Sequence, residues 1–149
     1  RQRQMCIRDS MAAHKIPYAA TATVAYPEDM IRKFKKAREI RGLRFFHILA
    51  PCPVGWRVPP EYTIQLSRLA VQTRYFPLYE VENGEKWHLT MKVPKPKPVA
   101  EFLKLQGRFR HLTDEQVAEI QAEVDRRWEE LMSKVSQSNE GNHHPAGRN

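Results

Sequence analysis

Few side chains in this sequence are suited to chemistry, and the types present narrow what it can be. Past the first ten residues there is one cysteine, Cys52, held between two prolines in Ala50-Pro51-Cys52-Pro53. A thiolate is a soft metal ligand and a nucleophile, and a thiol is also a compact apolar filler in a folded interior. The spacing leaves ligand, reactive thiol and core filler all open, because no second cysteine or histidine stands close enough in sequence to complete a metal-binding pattern. His14, His88 and His111 are isolated, and His143-His144 sits in a polar stretch. His47 lies within an apolar run and reads as a hydrogen-bonded core histidine rather than a catalyst.

The thiol is positioned by the stretch Arg44 to Trp56, RFFHILAPCPVGW. Phe45 to Leu49 is an almost unbroken apolar run, which suits a strand covered on both faces inside a parallel sheet. Pro51 and Pro53 lack N–H groups, so the chain must leave the sheet at Cys52. The thiol then stands on a stiff loop at the carboxyl end of a buried parallel strand, the edge where open α/β sheets place ligands. Gly55 lets the backbone turn or approach something closely.

Upstream, Tyr18 to Ala25 is small and β-branched and reads as a short buried strand. Pro27, Glu28 and Asp29 signal a helix start. Met30, Ile31, Phe34, Ala37 and Ile40 recur at helical spacing as the inward stripe, and Gly42 is the stop. The basic residues from Arg32 to Arg44 read as the solvated face of this crossover helix, or more sharply as a patch for an acidic partner. Strand, helix and strand together make a βαβ unit.

Downstream, Tyr62 to Thr73 reads as an amphipathic helix with Ile64, Leu66, Leu69 and Ala70 inward. Phe76 to Val81 and Trp87 to Val93 flank Asn83-Gly84, a hairpin signal, and this pair is expected at a sheet edge. VPKPKP, from Val93 to Pro98, is a stiff spacer. A short helix, Val99 to Leu105, and a turn, Gln106 to Leu112, precede a helix capped by Thr113 with Gln116 in capping-box position. Val117, Ile120, Val124, Trp128, Leu131 and Val135 form its apolar stripe, ending at Ser136. Trp56 and Trp87 read as packing residues. The expected organisation is α/β over residues 11–95, a helical arm over 96–136 and a disordered polar tail over 137–149.

The formal charge of +8 invites a nucleic-acid reading, yet no helix-turn-helix spacing, finger ligands or aromatic-basic repeat accompanies it. A subunit-docking module without catalysis is the other rival. No apolar run reaches bilayer length. Two cysteines without a signal-peptide core point to a reducing cytoplasm. Residues 1–10, RQRQMCIRDS, have neither helical nor strand periodicity and look like a translated sequencing adapter, so they and Cys6 are set aside from the fold.

Four blocks carry a family resemblance: MAAHKIPYAATATVAYPEDMIRK, HILAPCPVGWRVPP, LSRLAVQTRYFPLYEVENGEKW and EFLKLQGRFRHLT. In this order, from Met11 to about Met132, the sequence resembles the β subunit of pyruvate:ferredoxin oxidoreductase, also called pyruvate synthase. The resemblance implies the parallel-sheet α/β domain that binds thiamine diphosphate with Mg2+, carrying an added β-hairpin and a C-terminal helical arm. It implies oxidative decarboxylation of pyruvate with coenzyme A to acetyl-CoA and CO2, with electrons passing through [4Fe–4S] clusters to ferredoxin.

For Cys52, in the A-P-C-P motif, the resemblance implies the fourth ligand of a [4Fe–4S] cluster whose other three cysteines come from earlier in the subunit. Pro53 offers that sulfur no N–H, whereas Val54 and Gly55 can, and such hydrogen bonds help set a cluster's potential. The Gly-Asp-Gly and Asn that hold the magnesium diphosphate in the family also lie earlier, and neither set occurs here. The expectation is the C-terminal part of a catalytic subunit, inactive alone, whose partners are the other subunits, ferredoxin, pyruvate and coenzyme A, with no nucleic acid and no membrane.

Overall fold

Small side chains decide the centre of the fold. In the computed structural model, which describes residue 11 and residues 13–140, β1 (Tyr18–Thr23, YAATAT) has all six residues buried. Alanines and threonines allow close approach from both faces of a strand, as the sequence leads one to expect. The chain then forms α1 (Pro27–Glu39) and β2 (Arg44–Leu49), which pairs parallel to β1 in the register Tyr18↔Arg44 to Thr23↔Leu49. Gly42, at φ +103°, makes the turn into β2, and a Cβ there would stand 2.9 Å from Pro17 Cγ.

On its other side β1 pairs antiparallel with β3 (Tyr79–Glu82), and β3 pairs antiparallel with β4 (Lys86–Leu89). The strand order is β2-β1-β3-β4. Asn83 and Gly84 have φ of 53° and 70°, the two left-handed positions of a type I′ turn, so Asn-Gly acts as its composition predicts. The hairpin strands are shorter than the apolar runs that suggested them. Pro77 cannot donate to a ladder, and the Phe76 N–H is already given to Ala70 O.

Two expectations are corrected by this topology. The sheet is α/β but mixed, with one parallel pair among the described strands, because the hairpin takes the second side of β1. β2 is not buried on both faces: it lies at the edge, with Phe45, Phe46, His47 and Leu49 half-buried and Ile48 exposed.

α1 covers one face of the sheet, its Ala37 packing with Tyr18 and Ala20 of β1. Its orientation also differs from the apolar periodicity: Lys33 and Ala37 are buried, whereas Ile31 and Phe34 are exposed. The cause is a polar network on the sheet. Lys33 Nζ donates to Thr21 O at 2.8 Å and to Asp29 at 2.5 Å. Lys36 Nζ donates to Glu80 at 2.7 Å and Glu82 at 2.5 Å, and Tyr18 OH donates to Glu80 at 2.7 Å. Part of the basic face is thus turned inward and paired.

The remaining helices are α2 (Pro53–Trp56), α3 (Thr63–Gln72), α4 (Val99–Lys104) and α5 (Asp114–Glu140). Leu66, Leu69, Ala70, Phe102 and Val124 share a core with Phe76 and Leu78, while Ile64 is exposed rather than inward. Farther along α5, Leu131 and Val135 pack on Ala19, Tyr79 and Val81, the sheet face opposite α1. Val117, Ile120 and Trp128 are half-buried.

The capping box forms as read: Thr113 N–H donates to Gln116 Oε1 at 3.0 Å and Gln116 N–H to Thr113 Oγ1 at 3.3 Å. The helix does not end at Ser136. Ser138 Oγ accepts the Trp87 N–H at 2.9 Å, tying the next turn to β4, so residues 137–140 are helical where a disordered tail was expected. The expectations for residues 1–10, Cys6, residues 141–149 and His143-His144 lie outside the described residues. Among the described residues no helix is long and apolar enough to cross a membrane.

Candidate functional site

Cys52 follows directly from the end of the one parallel pair. Thr23 Oγ1 donates to Leu49 O at 3.2 Å, joining the last residues of β1 and β2. Pro51 is buried and Cys52 exposed, so the chain leaves the sheet where the prolines require it. The exposure removes the core-filler role.

The loop holds the sulfur by backbone hydrogen bonds. Gly55 N–H donates to Cys52 Sγ at 3.3 Å, and Trp56 N–H to Cys52 O at 2.9 Å. A Cβ on Gly55 would lie 3.3 Å from Sγ, so this is what Gly55 approaches closely. Val58 N–H donates to Pro53 O at 2.9 Å, and Arg57 adopts φ 54° to let the chain turn there.

A second layer fixes the loop from the far end of the sequence. Gly107 N–H donates to Arg57 O at 3.2 Å, and a Cβ on Gly107 would meet Arg57 Cβ at 2.8 Å and its carbonyl oxygen at 2.9 Å. Arg108 lays its guanidinium 4.1 Å from the Trp56 ring centroid and donates to Gln106 Oε1 at 2.9 Å. Burial pulls the Arg108 pKa below its ordinary value. Gln106, fully buried, donates in turn to Phe102 O at 2.8 Å. Sequence reading missed Gly107 and Arg108 as supports of the thiol. Their only signal was membership of the QGRFRH block, which carries no spacing rule linking it to residue 52.

The other candidates do not converge on Cys52. His47 is half-buried, its ring edge-on to Phe76 at 5.1 Å, in a cleft shared with Arg74 and Trp128 that Cys52 does not line. The Arg74 guanidinium stacks 4.4 Å from the Trp128 centroid, and Trp87 packs on Tyr79 at 5.5 Å, so these rings serve packing. Among the described residues no group of three or more His, Cys, Asp or Glu could hold a metal by itself.

The sulfur nevertheless suits one corner of a cluster. It is a soft donor, accessible from outside, presented by a constrained loop and already accepting one N–H. It supplies one ligand only. The described residues show no carboxylate and amide set of the kind that would hold a magnesium diphosphate.

Among the described residues the α/β unit presents one thiol, fixed by its loop, beyond a strand end. No family model matches the chain. Among curated proteins it is 58% identical over 125 residues to the ketoisovalerate oxidoreductase subunit VorB of Pyrococcus horikoshii, covering 83% of this chain and 40% of that protein. It is 57% identical over 115 residues to the pyruvate synthase subunit PorB of Methanocaldococcus jannaschii, covering 77% and 38%. PorB of Methanothermobacter marburgensis is 49% identical over 121 residues, covering 81% and 42%. The chain belongs to the family of these pyruvate synthase and ketoisovalerate oxidoreductase subunits. It spans about two fifths of the length of the curated relatives it matches.

Proposed function

We propose that the chain works as part of the thiamine-diphosphate-binding β subunit of a 2-oxoacid:ferredoxin oxidoreductase, oxidising pyruvate with coenzyme A to acetyl-CoA and CO2 and passing the electrons to ferredoxin. The observation that carries this reading is the match to PorB and VorB over more than a hundred residues, within which Cys52 stands exposed on a fixed loop. Cys52 would supply one thiolate to a [4Fe–4S] cluster whose other ligands lie outside the described residues. Such a cluster, when bound, takes up and releases single electrons.

The chain's own contribution is orientation. Gly55 N–H lowers the electron density on the Cys52 sulfur, and Pro53, with no N–H, contributes no such bond. The Gly107–Arg57 contact and the Arg108–Trp56 stack hold the loop in place, so the sulfur need not reorganise to meet iron. Thiamine diphosphate with Mg2+ would be bound by residues outside this set, and no step is assigned to the chain there. The soluble setting proposed is the cytoplasm, with the other oxidoreductase subunits as direct partners.

A branched-chain 2-oxo acid is the second reading for the substrate, favoured by the equally strong VorB match. The basic patch of α1 is reduced, since Lys33, Lys36 and Arg32 are paired with Asp29, Glu80 and Glu82, while the net charge that invited the nucleic-acid reading stands. The test is ferredoxin reduction by the complete subunit assembled anaerobically with its companions, supplied with coenzyme A and either pyruvate or ketoisovalerate. Reduction dependent on pyruvate supports the first reading, and reduction with ketoisovalerate alone supports the second. Failure with both, together with salt-sensitive DNA binding, would support the nucleic-acid class.

A further inference from the structure

Where α5 crosses the sheet it leaves a cleft, bounded on the other side by residues 74–77. Its free space is about 70 Å³. At roughly 10–15 Å³ apiece that admits about five waters, the bulk of a small organic molecule and too little for a nucleotide. Phe76, Tyr79, Val124 and Leu131, all buried, give the cleft an apolar inner wall.

Two cations that line this cleft have no carboxylate partner among the described residues. Arg74 stacks on Trp128 and donates from Nε and Nη2 to Val93 O at 3.2 and 2.6 Å, which leaves Nη1 as a donor without an acceptor. Lys134 Nζ stands 4.5 Å from the Trp87 ring centroid and makes no ion pair. The other charged residues at the cleft are satisfied: Arg127 donates to Glu123, and Glu130 accepts from Arg126. The charge left over is positive. Arg74 also sits at φ 59°, in the left-handed position just past α3 where glycine is the usual occupant. A glycine would relieve that backbone and would bring no guanidinium to the cleft.

We propose that this cleft binds a short-chain carboxylic acid, its carboxylate meeting Arg74 Nη1 and Lys134 Nζ and its apolar body lying against Phe76, Val124 and Leu131. Each part of the cleft selects for that class. A neutral apolar molecule would leave both cations without a counter-charge, and a bare inorganic anion would leave the apolar wall wet. The two indole rings hold the cations in place before the acid arrives, so little side-chain freedom is lost on binding. The inference is independent of what Cys52 binds.

Calorimetry with isovalerate on the complete subunit, assembled with its companions, tests this. Saturable binding at one site per subunit is expected, with the uncharged isovaleramide about tenfold weaker and inorganic phosphate unable to compete. Lys134→Gln is expected to weaken isovalerate by about tenfold, and Lys134→Arg to restore it. Absence of saturable binding, equal affinity for acid and amide, or displacement by phosphate would overturn the inference. So would full affinity in Lys134→Gln, which would put the acid elsewhere. If that variant fails to assemble, a short-chain acid bearing a diazirine decides on the unsubstituted complex. Labelling within residues 74–79 or 124–134 supports the site, and labelling only elsewhere overturns it. Loss of cluster iron without any change in these readouts would count against the functional reading alone.

Discussion

Gly107 carries the contact that keeps the cysteine loop in place, and it does so by lacking a side chain. Its N–H reaches Arg57 O at 3.2 Å only because no Cβ intervenes. Gly107→Ala would force an atom to within 2.8 Å of Arg57 Cβ and 2.9 Å of its carbonyl. The expected cost is about 1–3 kcal/mol, the usual range for overpacking, read as a lower denaturation midpoint with an altered Trp56 fluorescence signal. An unchanged midpoint would show that the loop is not anchored there. Pro-Cys-Pro at the end of a strand was legible in the sequence because prolines stop a ladder wherever they occur. Gly107 was not, because the reason for it sits fifty residues away and exists only after folding. Gly55 lay between: its flexibility was legible, and its donation to Cys52 Sγ needed the geometry.

The elements were legible by period and punctuation, and their rotation was not. Pro27, Glu28 and Asp29 begin α1 and Asn83-Gly84 turns the hairpin as read, since both signals are local. The apolar stripe of α1 assigned Ile31 and Phe34 to the core, yet the helix turns Lys33 and Lys36 to the sheet. The overlooked signal was YEVE in β3, where Glu80 and Glu82 fall on one face of the strand, opposite a basic helix.

Burial opposes ionisation of Glu80, but hydrogen bonds from Lys36 and Tyr18 outweigh it and hold the pKa below the ordinary 4.5. Burial, with the hydrogen bond to Glu80, raises the Tyr18 pKa, so that hydroxyl stays a donor. A carboxylate with a depressed folded pKa adds stability that is complete above the unfolded value and is lost as pH falls through the folded one. Unfolding free energy should therefore decline on acidification below about pH 5, and the Glu80→Gln variant should decline less steeply. At neutral pH the same variant should be less stable by about 1–3 kcal/mol, since Lys36 loses one of its two charged partners, keeping Glu82, and the buried network is weakened. Parallel acid limbs for the two proteins would remove Glu80 as their source.

At the scale of the described residues, a mixed four-stranded sheet carries α1 on one face and α5 on the other. The family was legible from four ordered blocks, because long identical stretches outlast any uncertainty in individual elements. The substrate was not legible, and relatives named for pyruvate and for ketoisovalerate match almost equally. β2 was misplaced because an almost unbroken apolar run speaks for a strand covered on both faces and says nothing of its place in the strand order, and β2 lies at the edge of the described strands.

The most direct test is the iron content of the complete complex, purified without oxygen, with Cys52→Ser in this subunit. The account predicts loss of one cluster's iron and of its paramagnetic signal on reduction, with ferredoxin reduction falling in step, while the subunits remain assembled. Full iron, an unchanged signal and undiminished electron transfer in that variant would contradict it.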